Sequence, residues 1–444
     1  MYSNVYSAAV NGIDAFIIEI ETNLDNAVPN FFMVGLPDSA VKESRERVTT
    51  AIKNSNFIFP LKRITINLAP ADIRKEGSSF DLPIALSILA AGGNFPQEAL
   101  ESTIALGELS LDGTLRPIRG SLSIAVEARN KGFKRILIPK ENADEAALVS
   151  ELEVIPLENL YQAATFLNGE LKIEPRQVDV KNIFDKSEKG NLANLSDVKG
   201  QDNVKRALEV AAAGGHNILM IGPPGSGKTM LAKRIPSILP PLTIDESLET
   251  TKIHSVSGIL AKDEPLVTVR PFRSPHHTIS DAALVGGGMN KIRPGEISLA
   301  HHGVLFLDEL PEFARNVLEV LRQPLENKNI SISRTKTTIE YPANFMLVCS
   351  MNPCPCGNFG NPVKECSCSP NMIHKYLSKV SGPLLDRIDI HVEVPAVKYQ
   401  ELSSTRTGES SEVVRERVVN ARQIQSERYN SLNGIFKNAD LHST

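Results

Sequence analysis

At 444 residues, the chain is long enough for two or three domains and a substantial core. Its hydrophobic content of 41% and charged content of 23% are ordinary for a globular protein, and its net charge of −4 indicates no general affinity for nucleic acid. The N-terminus is not a signal peptide, and no apolar run is long enough to span a bilayer. Five cysteines, four of them clustered, exclude a disulfide scaffold and indicate a metal site in a reducing cytoplasm.

Residues 1–172 alternate apolar strands with amphipathic helices, which predicts a mixed α/β domain. The Asp112-Gly113 dipeptide after an apolar strand is a strong hairpin signal. The other expected elements are strands at 31–35, 64–68, 104–111, 135–139 and 153–157, and helices at 39–53, 82–91, 121–131 and 143–149.

Two runs in this part, 107–118 and 134–139, resemble the proteolytic domain of Lon. Ser78 or Ser79 stands where that family keeps its nucleophile, but no lysine occurs in 119–124, where its base would be. The resemblance therefore implies a Lon-like fold without peptidase activity. We expect the two serines to cap the apolar helix that follows them.

A polar stretch at 173–195 indicates a linker, and residues 196–395 form the next predicted domain. Within it, residues 222–229 match G-x-x-x-x-G-K-[ST] between a short apolar strand and a helix. Such a loop turns backbone N–H groups towards a phosphate chain. Lys228 is expected to reach the β- and γ-phosphates of ATP, and Thr229 to bind Mg²⁺. The residues expected to contact the nucleotide here are Gly222, Pro223, Pro224, Gly225, Ser226, Gly227, Lys228 and Thr229.

Asp308 and Glu309 follow the apolar strand 304–307, at the edge where open α/β sheets bind their ligands. Asp308 is expected to hold Mg²⁺, and Glu309 to polarise the attacking water. A solvated loop start is the alternative for a strand that ends in two acids. Together with the phosphate loop, the two acids predict an ATP-hydrolysing site.

The arrangement resembles the AAA+ class of ATPases, which implies roles for four further residues. Val198 and Gln201 stand where that class lines its adenine pocket. Asn352, after strand 344–350, stands where it senses the γ-phosphate, although an asparagine before a proline also caps turns. Arg387 resembles an arginine finger presented to a neighbouring subunit, with a local pair to Asp386 or Asp389 as the alternative.

Two further features resemble ring ATPases of the helix-2-insert kind, in which such elements line the central pore. The long interval between Lys228 and Asp308 carries Arg270 and Arg273 and suggests an inserted element. The alternating pattern at 330–341 predicts a β-hairpin with Arg334 and Lys336 at its tip. These four basic residues are candidate DNA contacts, and simple solvation is the alternative for the tip.

The clustered cysteines form two C-x-C pairs, Cys354 with Cys356 and Cys366 with Cys368. Four thiolates suit a closed, tetrahedral, structural Zn²⁺ site. C-x-C is less diagnostic than C-x-x-C, so free or redox-active thiols remain the alternative. Cys349 lies inside an apolar strand and is expected to be a core residue.

Residues 396–444 include a charged helix at 411–429 that resembles the start of a helical lid. In this class, a later helix carries a second sensing arginine. The lid is therefore expected to be incomplete within this sequence, with a shortened lid as the alternative.

Taken together, the Lon-like domain, the ATPase motifs and the C-x-C pairs resemble the ComM/YifB family of Mg-chelatase-like AAA+ ATPases. The resemblance implies a cytoplasmic, homo-oligomeric ring, expected to be hexameric, that uses ATP and Mg²⁺. It further implies a DNA helicase that migrates branches in natural transformation or recombination. A protein-remodelling motor and a chelatase-type motor acting on a partner protein are the alternatives.

Overall fold

A computed structural model describes residues 1–71, 75–187, 193–261, 264–288, 292–334, 337–361, 364–396, 408–432 and 435–441. The structure is of the mixed α/β class and contains parallel strands, as the sequence predicts. It divides into two compact units, one of Met1–Ile183 with Thr251–Leu266 and one of Phe184–Thr250 with Val267–Thr444. Among the helices in the described ranges, none is long and apolar enough to cross a membrane.

The first unit is built on a seven-stranded mixed sheet with the order β3-β4-β2-β1-β5-β8-β9. The strands of this sheet are β1 (Tyr2–Asn11), β2 (Asp14–Asp25), β3 (Asn30–Val34), β4 (Arg63–Ala69), β5 (Thr103–Ala105), β8 (Arg135–Pro139) and β9 (Glu153–Leu157). The predicted hairpin around Asp112-Gly113 is confirmed as β6 (Glu108–Leu109) and β7 (Leu115–Arg116). The helices are α1 (Ser39–Asn54), α2 (Asp81–Ala91), α3 (Ser121–Asn130), α4 (Ala143–Ala146) and α5 (Leu160–Leu167).

The antiparallel pair β1 and β2 is missing from the sequence prediction, because polar residues occupy several of its buried positions. Ser3, Ser7 and Thr22 are fully buried. The Ser3 hydroxyl donates to the Ser87 carbonyl at 2.7 Å, and the hydroxyls of Thr22 and Ser87 lie 2.7 Å apart. Hydrogen bonding allows polar groups into the core but obscures the alternation from which a strand is predicted.

Helix α2 is buried almost all round, as its apolar composition predicts. The expectation that Ser78 and Ser79 cap it is wrong. The helix begins at Asp81 with Phe80 at the N-cap position and no side-chain cap, and the Ser78 hydroxyl donates instead to the Glu108 carboxylate. The buried Asp81 carboxylate accepts a 2.7 Å hydrogen bond from Arg47, which compensates its burial.

Two helices are missing from the sequence prediction. Helix α6 (Val180–Ser187) lies in the stretch whose composition indicates a linker, and helix α10 (Ile244–Ser257) lies in the long interval after the phosphate loop. Helix α10 has little amphipathic pattern, whereas Val180, Ile183 and Phe184 of α6 have a helical spacing that the polar composition around them obscures.

The second unit is built on a five-stranded parallel sheet with the order β11-β14-β17-β10-β18. The strands of this sheet are β10 (Ile218–Ile221), β11 (Phe272–Arg273), β14 (Val304–Leu307), β17 (Met346–Met351) and β18 (Ile390–Glu393). Every residue of β14 and β17 is buried, since helices cover both faces of such a sheet. Because β14, β17 and β10 are adjacent and parallel, their carboxyl ends meet at one edge of the sheet.

The remaining elements of this unit surround the sheet. The helices are α7 (Asp202–Gly214), α8 (Lys228–Ala232), α9 (Ile235–Ile238), α11 (Asp281–Val285), α12 (Glu296–Leu299), α13 (Arg315–Glu319), α14 (Arg322–Asn327), α15 (Pro370–Leu377), α16 (Gly382–Leu385) and α17 (Ser411–Tyr429). Two small antiparallel pairs are β12 (Gly286–Gly287) with β13 (Arg293–Pro294), and β15 (Asn329–Arg334) with β16 (Thr337–Pro342). The predicted hairpin at 330–341 and the predicted helix at 411–429 are thereby confirmed; the assignment of that helix to a lid stays a prediction.

Candidate functional site

The glycine-rich segment 222–229 connects β10 to α8 at the carboxyl edge of the parallel sheet. Gly225 and Gly227 have φ values of +76° and +90°, in the left-handed region that glycine enters without steric cost. Gly222 is confined for another reason. A Cβ at this position would lie 2.1 Å from the carbonyl oxygen of Val394. The backbone path of the loop therefore requires glycine at positions 222, 225 and 227.

The Lys228 ammonium group is nearly buried in this loop and is bound by neutral oxygens. Its Nζ donates to the carbonyls of Gly222 at 2.7 Å and Pro223 at 3.0 Å, and to the Asn352 side-chain oxygen at 3.2 Å. Burial lowers the pKa of Lys228, while the nearby charges of Asp308 and Glu309 act in the opposite direction. A nearly buried cation with only neutral acceptors can accommodate an anion.

Asp308 and Glu309 lie directly after β14, beside the phosphate loop. Asp308 accepts a 2.6 Å hydrogen bond from the Thr229 hydroxyl and a further one from the Ser350 hydroxyl. Glu309 has a left-handed backbone with φ of +55°, and its carboxylate lies 3.7 Å from Nδ1 of His277. The hydroxyl and carboxylate that the sequence assigns to Mg²⁺ are thus in contact, and oxygen ligands of this kind suit that ion.

Gln201 and Val198 lie directly before helix α7, and Gln201 contacts the loop. The Gln201 side-chain nitrogen donates to the carbonyl of Pro395 at 2.6 Å and approaches that of Ser226 at 3.4 Å. Within the part of the chain that the structure describes, the buried Gln201 Oε1 and Ser226 Oγ have no hydrogen-bond partner. Two unsatisfied polar atoms beside the loop fit a site that is completed by a polar ligand. Val198 is buried in the core of this unit.

Arg387 follows α16 and is half-exposed. Its guanidinium group pairs with Glu326, with Nε 3.0 Å from the carboxylate oxygen. The expected alternative, a pair with Asp386 or Asp389, is not what the structure has; Asp389 instead accepts from the backbone N–H of Asn217 at 3.2 Å. An exposed pair of this kind contributes at most about 1 kcal/mol, so Arg387 can change partner readily.

The two arginines of the long interval are engaged within the unit, which does not fit their assignment as DNA contacts. Arg270 is almost buried and donates to the carbonyls of Pro240 at 2.6 Å and His302 at 2.7 Å. Arg273 forms a bidentate pair with Glu296 at 2.6 and 2.7 Å. Both side chains fix the strand β11 and the segments around it.

The hairpin β15–β16 is in register from Asn329 opposite Pro342 to Arg334 opposite Thr337. Its tip, with Lys336, lies outside the described residues, and only the backbone of Arg334 is described. The assignment of Arg334 and Lys336 to DNA therefore stays a prediction.

The four clustered cysteines are brought together as the sequence predicts. Cys354 is fully buried, and the sulfur atoms of Cys354, Cys356 and Cys366 lie 3.4 to 3.7 Å apart. With Cys368 included, all four sulfurs lie within 4.8 Å of one another. Four sulfur atoms at these distances can surround one tetrahedral ion. Cys349 is a buried residue of β17, as expected, and burial raises the pKa of its thiol.

Sequence reasoning missed three side chains of this region. Ser350 contacts Asp308, His277 lies near Glu309, and the backbone N–H of Asn352 lies near the buried Tyr376 hydroxyl and acts to lower its pKa. Ser350 lies on β17, two residues before Asn352, so strand alternation could have placed it on the side of the site. His277 lies in a loop and Tyr376 on α15, and no spacing in the sequence predicts their positions.

Comparisons with known proteins match most of the chain. The family model described as "Magnesium chelatase, subunit ChlI" matches residues 194–402, and the model described as "Subunit ChlI of Mg-chelatase" matches residues 20–142. The chain is 45% identical to competence protein ComM of Haemophilus influenzae, over 98% of this chain and 85% of ComM. It is also 45% identical to YifB of Escherichia coli, over 99% of this chain and 85% of YifB.

Substitution of Gly222 tests whether the phosphate loop binds nucleotide. In Gly222→Ala the new Cβ meets the main-chain oxygen of Val394, which cannot rotate away, so the loop must move. We expect Mg²⁺-ATP affinity, measured by titration with a fluorescent nucleotide, to fall about 10-fold or more. Gly382→Ala is the control, because a Cβ there would have no atom of the described residues within 4 Å. Unchanged affinity in Gly222→Ala would contradict the assignment.

Proposed function

The chain belongs to the Mg-chelatase-like family of ComM and YifB, and from that premise we propose that residues 222–229, Asp308, Glu309 and Asn352 form its ATP-hydrolysing centre. The family is one of AAA+-type ATPases, which use ATP and Mg²⁺. The observation that carries the proposal is the Lys228 ammonium group, which is nearly buried and bound by the neutral oxygens of Gly222, Pro223 and Asn352.

Each residue of the proposed centre has a separate task. Lys228 binds the β- and γ-phosphates, replacing its carbonyl contacts with charged oxygens. Thr229 and Asp308, whose side chains are 2.6 Å apart, hold Mg²⁺, which neutralises developing charge on the phosphates when bound. Glu309 orients the attacking water and accepts its proton. Asn352 contacts both Lys228 and the γ-phosphate position.

Val198 and Gln201 are proposed to bind the adenine. The unsatisfied Oε1 atom of Gln201 supports this, because an adenine amino group is a hydrogen-bond donor. Gln201 also ties the loop residue Ser226 to Pro395, so it connects the two sides of the proposed adenine site.

Glu309→Gln tests the hydrolytic role, because an amide retains the size of the side chain but cannot accept a proton. We expect kcat to fall by about 10²- to 10⁴-fold while the Kd for Mg²⁺-ATP stays within about twofold. Glu312→Gln is the matched control, since Glu312 is an exposed acid that pairs with Lys379. If Glu309→Gln lost both ATP binding and turnover, or if it kept its turnover, the role given to Glu309 would be contradicted.

We further propose that the protein acts as a homo-oligomeric ring, hexameric in size, in which Arg387 reaches the ATP of the neighbouring subunit. The pairing of Arg387 with Glu326 supports this, because both side chains are half-exposed and a surface ion pair is exchanged at little cost. A phosphate of the neighbouring subunit offers a more strongly charged partner than the Glu326 carboxylate.

The substrate that we propose is DNA, on which the ring acts as a helicase that migrates branches during recombination or natural transformation in the cytoplasm. The name of the similar ComM protein connects that protein with competence. Because Arg270 and Arg273 are engaged in the fold, the proposal depends on the tip of the β15–β16 hairpin, with Arg334 and Lys336. Basic residues at a hairpin tip can follow a phosphate backbone.

The DNA proposal is tested by measuring the ATPase rate with single-stranded and forked DNA, at low and raised salt. We expect DNA to stimulate the wild type, the stimulation to fall as salt rises, and the Arg334→Ala/Lys336→Ala variant to lose it. Lys131→Ala/Lys172→Ala is the control, since it removes two exposed positive charges from the first unit. If the protein hydrolyses ATP and forms rings but no DNA changes its ATPase rate, the result would instead favour a protein-remodelling or chelatase-type motor.

We propose that Cys354, Cys356, Cys366 and Cys368 hold one structural Zn²⁺. Their sulfur atoms lie within 4.8 Å of one another, and four thiolates close the coordination of the ion. Metal analysis of the purified chain is expected to find one zinc per chain, and Cys366→Ser/Cys368→Ser to lose it. Cys349→Ala, which removes the fifth, buried thiol, is expected to retain it. Absence of metal from the wild type, with free thiols by titration, would contradict a zinc site.

A further inference from the structure

We infer that the metal bound by the four cysteines controls the geometry of the nucleotide site, through one contact with the phosphate loop and one with Asn352. The inference rests on the proposed ATPase function of that site. It assigns to the cysteine loop, whose described residues are 354–361 and 364–368, an effect on nucleotide affinity and turnover that a purely local structural ion would not have.

The first contact is between Gly357 and the phosphate-loop residue Pro224. Gly357 follows Cys356 directly, and its N–H donates to the Cys354 carbonyl at 3.0 Å, so it lies in a tight turn between the first two ligands. Its φ is +79°, and a Cβ here would lie 2.4 Å from Cδ and 2.9 Å from Cγ of Pro224. The backbone of the cysteine loop therefore packs directly against the phosphate loop.

The second contact fixes Asn352 from two directions. Cys354, fully buried, follows Asn352 by two residues on the chain leaving β17. From the other end of the loop, α15 begins two residues after Cys368 and carries the buried Tyr376. The backbone N–H of Asn352 lies near the Tyr376 hydroxyl and acts to lower its pKa, against the effect of burial. Asn352 in turn accepts from the Lys228 ammonium at 3.2 Å.

The metal joins the two ends of this loop. Cys354 and Cys356 come from the strand end that carries Asn352, and Cys366 and Cys368 from the segment that leads into α15 and Tyr376. Hydrogen bonds between thiols are weak, whereas four metal–sulfur bonds cross-link the loop. With the ion bound, Asn352 and Pro224 are held in place; without it, the loop gains conformational freedom on both sides of the nucleotide site.

The proposed metal site lies close enough to the nucleotide site for the cross-link to affect catalysis. Displacement of catalytic groups by about 1 Å lowers rates by up to about 100-fold, and both contacts reach groups that touch Lys228 or the phosphate loop. The cysteine loop thus acts as a positioning element, whereas Lys228, Asp308 and Glu309 carry the chemistry.

Zinc removal from the full chain tests the inference directly. Zinc is removed with 1,10-phenanthroline, which leaves Mg²⁺ in solution, and is then restored. We expect the zinc-free protein to bind Mg²⁺-ATP about 10-fold more weakly and to show a kcat reduced about 10- to 100-fold, both recovered on adding Zn²⁺. Substitution with Co²⁺ gives a thiolate charge-transfer band that reports occupancy independently of activity.

A glycine pair separates the effect of the loop contact from loss of folding. Gly357→Ala keeps all four ligands but forces Cβ against Pro224, so we expect full zinc content and the same loss of nucleotide affinity. Gly360→Ala is the matched control, since Gly360 lies in the same loop at φ of +76°, and a Cβ there would meet no described atom within 4 Å. Both variants place alanine at a left-handed φ, so we expect a similar, small decrease in Tm in both, with wild-type nucleotide affinity and kcat only in Gly360→Ala.

The outcomes are distinguishable. Equal affinity and kcat in the zinc-loaded and zinc-free forms, with Gly357→Ala equal to Gly360→Ala, would overturn the inference and leave the ATPase proposal standing. A zinc-loaded wild type that neither binds nor hydrolyses ATP would overturn the proposed function itself.

Discussion

The candidate site depends on one interaction: neutral oxygens hold a lysine ammonium group in a nearly buried position. Lys228 is stable there because Gly222, Pro223 and Asn352 supply three acceptors, yet none of these carries a compensating charge. Burial lowers its pKa, and the more distant charges of Asp308 and Glu309 oppose this. This electrostatic arrangement suits a polyphosphate, the class of ligand that the proposed function assigns to it.

The parallel sheet makes this arrangement possible. Strands β14, β17 and β10 are neighbours, so the residues that follow them meet at one edge of the sheet. Lys228 and Asn352 are in contact there, although they lie more than 100 positions apart in the sequence. Hydrogen bonds then connect the contributions: Thr229 on α8 and Ser350 on β17 both donate to Asp308. The cysteine loop leaves β17 next to Asn352, and the helix that follows the loop brings Tyr376 near the Asn352 backbone.

Sequence reasoning succeeded where the local pattern carries the physical requirement. The loop 222–229 could be predicted because its backbone requires glycine at left-handed positions. Strand β14 could be predicted because a buried parallel strand is a continuous apolar run. The cysteine cluster could be predicted because four thiols at close spacing are the usual ligand set of one metal ion. The strands β1 and β2 could not, because hydrogen-bonded serine and threonine side chains occupy their buried positions.

The role of a charged side chain was the least predictable property. In the sequence, Arg270 and Arg273 cannot be distinguished from arginines that contact DNA. Only the fold shows that Arg270 donates to backbone carbonyls and that Arg273 pairs with Glu296. Likewise, the partner of Arg387 is Glu326, 61 positions away, and not the neighbouring aspartates. Partner choice depends on tertiary contacts, which composition and spacing do not encode.

The central claim, that Lys228 is the receptor for a nucleotide triphosphate, is tested most directly by a structure of the protein with Mg²⁺ and a non-hydrolysable ATP analogue. The account predicts that Nζ of Lys228 leaves the carbonyls of Gly222 and Pro223 for phosphate oxygens, with the metal between Thr229 and Asp308. A nucleotide bound elsewhere, with Lys228 still hydrogen-bonded to Gly222, would contradict it.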